Sequence, residues 1–386
     1  MNKCFITKLP SSVDNDNLPV LGQLRFNWLK QSNLTDNDAR AIGLSTNDSI
    51  NIKVSGAHLT DNTLSSNLGN TKTITAADGL VWLYVSNETD AILTIDNKYS
   101  LTNLNFVKSN KYWITRSVKF DINDIRYCTA LTAITLGKNQ VSGDISAISQ
   151  LTALNTLWLA DNQVSGDISA LRKLTALVNL NLGNTQVSGD ISAISQLTAL
   201  GNITLANTKI SGDISAISKL TTLDNINLGN TQVSGDISAM SKLTALSYFY
   251  LSNTNLSGKI DSFANLTKLS DISGMDGLSL TGDMSKIPAR VKFISQMFRK
   301  VNTNFTWTAN GRQNATLLAM DGPIPFDTVS MDNMFIDQAT CTLRAIESRP
   351  ETKRINVRGN RTSASDEAVT AIQNMGVTIT GVTKEG

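Results

Sequence analysis

Apolar residues recur along the middle of the chain at a fixed spacing. Leucines at 151, 154, 157 and 159 return 23 residues later, and a segment of the form Val/Ile-Ser-Gly-Asp-Ile keeps the same period through five copies: Val141–Ile145, Val164–Ile168, Val187–Ile191, Ile210–Ile214 and Val233–Ile237. A fixed period of about 20–50 residues is typical of solenoids, whose units bury their apolar side only against their neighbours. The sequence therefore predicts stacked units that display a surface.

Each unit contains two predicted elements. Leu157 and Leu159 alternate with Thr156 and Trp158, which predicts a short strand with both leucines inward. Ile168 and Leu171 follow at a spacing of three, which favours a tight helical or 3₁₀ turn that packs back onto the strand layer.

The unit resembles a leucine-rich repeat. Leu151-x-x-Leu154-x-x-Leu157-x-Leu159-x-x-Asn162-x-Val164 matches that pattern, and the Ser-Gly-Asp-Ile-Ser that follows resembles half of an extracellular plant-type repeat without its proline. The resemblance implies a solenoid with parallel β-strands on its concave face and short helices or 3₁₀ turns on its convex face.

One position departs from the family pattern. The repeat asparagine is present at Asn139 and Asn162 but is replaced in later units, where an asparagine stands one residue earlier; the replacements are Thr185, Thr208, Thr231 and Thr254. A threonine hydroxyl serves one backbone partner where an amide serves more, so we expect a ladder with altered bonding.

The regular array is predicted over residues 105–289. Val118–Ile122 is interpreted as a divergent capping copy, and Leu256 and Leu280 open two further copies. Residues 290–386 are predicted to form irregular C-terminal repeats and a cap, with true helices. There Ser363 and Asp366 have capping-box spacing, and strands are expected at 354–357 and 377–380.

Residues 1–104 contain no repeat. Short runs with period-two alternation, separated by turn-forming residues, predict a small β-sandwich that acts as an attachment or assembly domain. Residues 6–22 resemble the start of virion or prophage proteins of phages that infect gut Bacteroidales, including crAss-like phages. This resemblance implies a virion-surface protein made in the host cytoplasm. The absence of an apolar signal-peptide run after Met1 agrees with that expectation.

Composition argues against two classes of partner. Charged residues make up 17% of the chain and the formal net charge is +2, too little to steer the protein to nucleic acid. The basic residues between 344 and 361 are interspersed with glutamates and are interpreted as a solvated face. Apolar stretches are strand-sized, so no membrane insertion is predicted.

The residues that usually carry catalysis are scarce. His58 is the only histidine and is predicted to be a surface residue, while Cys128 occupies a leucine position and is predicted to be a buried free thiol. Asp14–Asn17 lacks the glycine and glutamate of a calcium loop. No enzyme activity, cofactor or metal site is therefore predicted.

A column of aspartates leaves two interpretations open. Its members precede the isoleucine of each copy: Asp144, Asp167, Asp190, Asp213 and Asp236. They are expected to stack about 5 Å apart if the strands are in register. Each either caps the following turn by accepting a backbone N–H, or contributes to a row of weak calcium sites that a calcium titration would detect.

The strand register selects candidate binding residues. With the leucines inward, the outward positions are nearly uncharged, and the predicted site consists of Trp158, Asn179, Asn181, Asn202, Thr204, Asn225, Asn227, Tyr248 and Tyr250. Amides and aromatic rings suit a glycan or a protein partner, although asparagine and threonine ladders also stabilise a sheet by themselves.

Three functions follow from this reasoning. The first is a non-enzymatic recognition protein on a phage virion, as a fibre or decoration, that binds protein or glycan at the host surface and contacts virion or other subunits through residues 1–104. A homo-oligomer is compatible with this function. The alternatives are a leucine-rich adhesin on the bacterial cell surface and a polysaccharide depolymerase that uses carboxylates.

Overall fold

The computed structural model describes residues 24–28, 40–46, 50–55, 59–60, 67–69, 71–78, 81–85, 91–96, 98–105, 118–275, 277–291, 293–295, 305–309, 319–325, 328–339 and 354–385. The chain divides into two compact units, residues 1–120 and 121–386. Predictions for Asp14–Asn17, the phage-like segment 6–22 and His58 concern residues outside the described ranges. The finer division at 104 and 289 stays a prediction.

Antiparallel strands make up the N-terminal unit. They are β1 (Leu24–Trp28), β2 (Arg40–Thr46), β3 (Ile50–Ser55), β4 (Leu59–Thr60), β5 (Asn67–Gly69), β6 (Thr71–Ile74), β7 (Val81–Val85), β8 (Ala91–Ile95), β9 (Leu101–Asn105) and β10 (Val118–Asp121). β1 pairs with β8 and β10, and β3 pairs with β6 and β8. In a second group, β2 pairs with β7 and β9, and β4 pairs with β5 and β7. Short strands are thus confirmed, and their packing as a sandwich stays a prediction.

Each repeat, here called a coil, contributes one strand to a first parallel sheet. These three-residue strands are β11 (Ala133–Thr135), β13 (Thr156–Trp158), β15 (Asn179–Asn181), β17 (Asn202–Thr204), β19 (Asn225–Asn227), β21 (Tyr248–Tyr250) and β23 (Asp271–Ser273). Neighbours from β11 to β21 pair at an offset of 23 residues, as Leu157 with Leu180. Leu157 and Leu159 are fully buried, so the predicted strand and its inward leucines are confirmed.

A second parallel sheet runs along the array, and the sequence interpretation missed it. Its strands are β12 (Gln140–Asp144), β14 (Gln163–Asp167), β16 (Gln186–Asp190), β18 (Lys209–Asp213), β20 (Gln232–Asp236), β22 (Asn255–Lys259) and β24 (Ser279–Thr281). Only one apolar side chain per strand, such as Val164, is buried. A single apolar residue between polar ones gives too short an alternation to indicate a strand.

The predicted turns are 3₁₀ helices. They span Ile145–Ile148, Ile168–Leu171, Ile191–Ile194, Ile214–Ile217 and Ile237–Lys242. The aspartate before each turn accepts a hydrogen bond from the backbone N–H two residues on, as Asp144 does from Ser146 at 2.8 Å. The capping role is thereby confirmed at all five aspartates.

The aspartates do not face one another across the second sheet. From β12 to β22 its strands pair at an offset of 21 residues, so Asp144 lies opposite Ser165 rather than Asp167. The Asp144 carboxylate lies against Gly166, where a Cβ would be 2.5 Å from Oδ1. The in-register stacking assumed from the sequence is therefore wrong by two residues. Within the described ranges, no three histidine, cysteine, aspartate or glutamate side chains cluster as a metal site would require.

The repeat asparagine bonds across coils, whereas each threonine replacement bonds within its own coil and does not continue a ladder. Asn162 Nδ2 donates to the carbonyls of Leu136, Leu159 and Ala160, and its Oδ1 accepts from the N–H of Val141. Thr185 donates only to the carbonyl of Leu182, and the three later threonines repeat that bond. The prediction of a single backbone partner is confirmed.

Helices appear in the C-terminal coils. The first sheet continues as β25 (Phe293–Ser295), β26 (Ala319–Pro325), β27 (Arg354–Arg361) and β28 (Thr378–Lys384), with α1 (Thr328–Ala339) and α2 (Asp366–Asn374) between strands. The residue that caps the chain before α2 differs from the prediction. Thr362, rather than Ser363, accepts a hydrogen bond from the N–H of Ala364 at the 3₁₀ turn that precedes α2. Among the described residues, no helix has the length and apolarity needed to cross a lipid bilayer.

Candidate functional site

The strand face consists of the outward positions of β13 to β21 and contains every residue of the predicted site. These positions form a first column, Thr156, Asn179, Asn202, Asn225 and Tyr248, and a second column, Trp158, Asn181, Thr204, Asn227 and Tyr250. Asn202 is exposed and the others are half-buried. Adjacent strands of a sheet lie about 4.8 Å apart, which sets the distance between successive members of a column.

The first column is a hydrogen-bonded amide ladder. Asn202 Nδ2 donates to Asn179 Oδ1 at 2.8 Å, and Asn225 Nδ2 donates to Asn202 Oδ1 at 2.7 Å. Asn179 makes a longer contact with the Thr156 hydroxyl, at 3.5 Å. Much of the hydrogen-bonding capacity of this column is used within the sheet, which agrees with the structural role considered for it.

Asparagines of the second column are fixed differently. Asn181 Oδ1 accepts from the N–H of Gly183 at 3.1 Å, and Asn227 Oδ1 accepts from the N–H of Gly229 at 3.1 Å. In the described part of the chain, neither Nδ2 group donates a hydrogen bond. Because the oxygen is held by the backbone, each amide presents two N–H donors in a defined orientation.

The aromatic residues of the second column lie against glycines. A Cβ at Gly137 would be 2.7 Å from Trp158 Nε1, and a Cβ at Gly229 would be 2.5 Å from Tyr250 Cε1. On its other edge the Tyr250 ring contacts Gly274, which has a φ of 63°. Glycine backbone on both edges therefore fixes the Tyr250 ring across neighbouring coils.

The residue that stands 21 positions before each member of the second column is small, and it alternates between glycine and alanine. Glycine stands 21 residues before Trp158, Thr204 and Tyr250, whereas alanine stands 21 residues before Asn181 and Asn227. The Thr204 methyl would be 3.3 Å from a Cβ at Gly183. Sequence reasoning missed this pairing, although the alternation of Asn-Leu-Gly with Thr-Leu-Ala or Tyr-Leu-Ser is the signal that would have revealed it.

A carboxylate borders the first column. Asp224 precedes Asn225 and accepts hydrogen bonds from its Nδ2 at 3.0 Å and from the Ser247 hydroxyl. Asp224 is exposed. The two columns themselves contain only neutral side chains, so this part of the surface has little electrostatic attraction for charged ligands.

A second amide ladder lies at the turns between the two sheets and was not predicted as a ladder. Asn184, Asn207, Asn230 and Asn253 each donate to the residue one coil earlier at 2.7–2.8 Å, beginning at Asp161. All have φ between 56° and 59°. Asparagine and aspartate tolerate this left-handed conformation better than most residues, which suits them to this position.

Two further predicted features lie away from the strand face. Cys128 is buried, as predicted, and forms no disulfide within the described residues. Arg361, from the basic segment, pairs with Asp366 at 2.5 Å, and Lys384 contacts the same carboxylate. The hydrogen bonds of Lys384 and Arg361 lower the pKa of Asp366.

Comparison with known proteins identifies the repeats. Residues 152–202 match the family model described as Leucine Rich repeats (2 copies). The chain therefore carries leucine-rich repeats, a scaffold consistent with non-enzymatic recognition. No curated protein matches the chain.

Several solved structures have a backbone that follows a similar path. One is a plant peptide hormone receptor, RGFR1, in complex with RGF2, which is 18% identical with a TM-score of 0.44. That match covers 68% of this chain and 49% of the receptor chain. Internalin C2 from Listeria monocytogenes is 22% identical with a TM-score of 0.38, covering 56% of this chain and 79% of the other. The Arabidopsis HAESA ectodomain with an IDA peptide is 20% identical with a TM-score of 0.42, covering 68% and 55%. The chain thus spans about half the length of the plant receptor chains that it matches.

Proposed function

We propose that the protein is a non-enzymatic recognition protein that binds its partner on the strand face, between Trp158 and Tyr250. The observation that carries this proposal is the second column. There, backbone N–H groups hold the oxygens of Asn181 and Asn227, the amide donors have no acceptor among the described residues, and glycines fix the Tyr250 ring. Donors held in place before binding lose little conformational entropy when a ligand arrives.

Tyr248 and Tyr250 provide the second support. They stand where the preceding coil has Asn225 and Asn227, and the buried residue between them is Phe249 where that coil has Ile226. Aromatic rings at the end of a polar face increase the risk of unwanted association, so a binding role gives a reason for keeping them.

The finer setting that we propose is a virion surface, with residues 1–104 as the attachment module. It rests on the phage-like segment 6–22. The bacterial adhesin remains the alternative setting. Labelling with antibodies against this chain distinguishes them, since the first places the protein on isolated phage particles and the second on the surface of uninfected cells.

The double change Tyr248→Ala and Tyr250→Ala tests the recognition function. We expect binding to cells from a panel of gut Bacteroidales to weaken by at least about 2 kcal/mol, as truncation of buried aromatic anchors typically does. The matched control is Tyr127→Ala, which removes an exposed tyrosine outside the strand face, just after the 3₁₀ turn Ile122–Ile125. Unchanged binding by a double variant that melts like the parent would place recognition elsewhere in the chain.

A further inference from the structure

We propose that the ligand of the strand face is a linear, uncharged polysaccharide that lies along the second column, parallel to the stack of coils. This inference rests on the proposed function, because it names the ligand class of the same surface. The hydrogen-bonding groups, their spacing, the aromatic ends and the neutrality of the face each support it.

The hydrogen-bonding groups of the second column suit hydroxyl-rich ligands. Asn181 and Asn227 offer N–H donors, and in the described part of the chain the Thr204 hydroxyl between them has no partner. The Thr204 methyl lies toward Gly183. Sugar hydroxyls accept and donate, so they pair with amide donors and with a hydroxyl that does both.

The spacing of the groups suits a repeating chain. Members of the column recur about every 4.8 Å, which is close to the length of one sugar ring in a linear polysaccharide. An extended peptide advances about 3.3 Å per residue, so its residues do not match a spacing of one unit per coil. From Trp158 to Tyr250 the column covers four steps, or roughly 19 Å.

Aromatic side chains lie at both ends of this row. Sugar rings present C–H groups on their faces, which pack against the flat faces of tyrosine and tryptophan. The Tyr250 ring is held on both edges by Gly229 and Gly274, and Trp158 lies against Gly137. Such fixed rings suit a ligand that is itself stiff and flat.

The lack of charge on the strand face favours neutral polysaccharides over charged ones as the ligand. The two columns are uncharged, and the carboxylate of Asp224 beside the first column already accepts hydrogen bonds from Asn225 and Ser247. Nothing in these columns offers a cation to a uronic acid or sulfated chain. Binding should therefore change little between low and high sodium chloride.

The test exchanges the donors for acceptors without disturbing the fold. In the double variant Asn181→Asp and Asn227→Asp, the retained oxygen still accepts from Gly183 and Gly229, but the N–H donors are gone. The matched control, Gln186→Glu and Gln232→Glu, makes the same change of charge at exposed positions of the second sheet. Calorimetry measures binding of cellohexaose, xylohexaose and mannohexaose to the full chain and to both variants.

We expect at least one of these hexasaccharides to bind the parent and the control alike, independently of salt, and the aspartate variant to bind about tenfold more weakly or worse. Absence of binding by all three, or equal binding by the two variants, overturns the inference. If cell binding is still lost on Tyr248→Ala and Tyr250→Ala, the recognition function stands and the ligand is of another class, such as an extended peptide. If cell binding persists in that tyrosine variant, the assignment of recognition to the strand face fails as well.

Discussion

Glycine and aspartate of the Ser-Gly-Asp segment depend on each other across coils. Gly189 has a φ of 109°, and a Cβ there would be 2.7 Å from the Asp167 carboxylate oxygens of the preceding coil. The left-handed conformation favours glycine, and the absent side chain makes room for the capping aspartate. The period of this segment therefore reflects contacts between coils as well as local turn geometry.

Gly189→Ala should lower the free energy of unfolding by about 1–3 kcal/mol, because the alanine would be strained and would displace Asp167. Urea denaturation measures the change. Gly201→Ala is the control, since its Cβ would meet its nearest atom only at 3.8 Å and its backbone does not require glycine. Equal effects of the two changes would contradict this account of the glycine.

The 3₁₀ turns depend on ionised caps. The backbone N–H of Ser169 and then its hydroxyl lower the pKa of Asp167, and the backbone N–H and hydroxyl of Ser192 do the same for Asp190. Their folded-state pKa values lie below the unfolded-state value of about 3.9. These carboxylates therefore stabilise the fold above that value, and the stabilisation is lost as pH falls through the folded-state pKa.

Asp190→Asn should flatten this pH dependence. Asparagine is about as good a cap as aspartate, so stability at neutral pH should stay close to that of the parent, while the loss of stability below about pH 4 becomes smaller. Urea unfolding at pH 7 and at low pH measures both quantities. If the free energy of unfolding falls with pH as steeply in the variant as in the parent, the Asp190 carboxylate adds nothing to the acid sensitivity of the fold.

The strands of the first sheet have an inner and an outer side with different energetic roles. Leu205 follows β17 and is fully buried, whereas Asn202 on the same coil is exposed. Leu205→Ala should cost roughly 2–5 kcal/mol through the cavity it leaves. Asn202→Ala removes two ladder bonds at the surface and should cost much less, about 1 kcal/mol. Thermal and urea unfolding compare the pair, and equal destabilisation would mean that the strand register is wrong.

At the scale of the whole chain, the sequence predicted the features that are marked by regularly spaced apolar residues. The inward leucines, the first sheet and the 3₁₀ turns follow from period and alternation, and the capping aspartates follow from their place before each turn. The second sheet was missed because each of its strands buries a single apolar side chain, a valine, isoleucine or leucine. The 21-residue offset between strands of the second sheet was missed because it depends on how neighbouring coils stack. The 23-residue period of the sequence does not reveal that stacking.

The candidate site was predictable in membership but not in geometry. Alternation selected the outward residues, and the substitution of tyrosines for asparagines singled out one end. The orientation of Asn181 depends on a backbone N–H of Gly183, and that of Tyr250 on glycines in two other coils. Both depend on three-dimensional packing that outward periodicity does not specify.

One substitution at the centre of the strand face tests the recognition role most directly. Asn202→Arg places a long charged side chain in the middle coil, between the two aromatic ends, while Gln186→Arg adds the same side chain at an exposed position of the second sheet. Binding of both variants to the Bacteroidales cell panel is compared after melting curves show that each is folded. We expect Asn202→Arg to weaken binding at least about tenfold, a loss of about 1.4 kcal/mol, and Gln186→Arg to bind like the parent. Parent-like binding by a folded Asn202→Arg variant would contradict the assignment of recognition to the strand face.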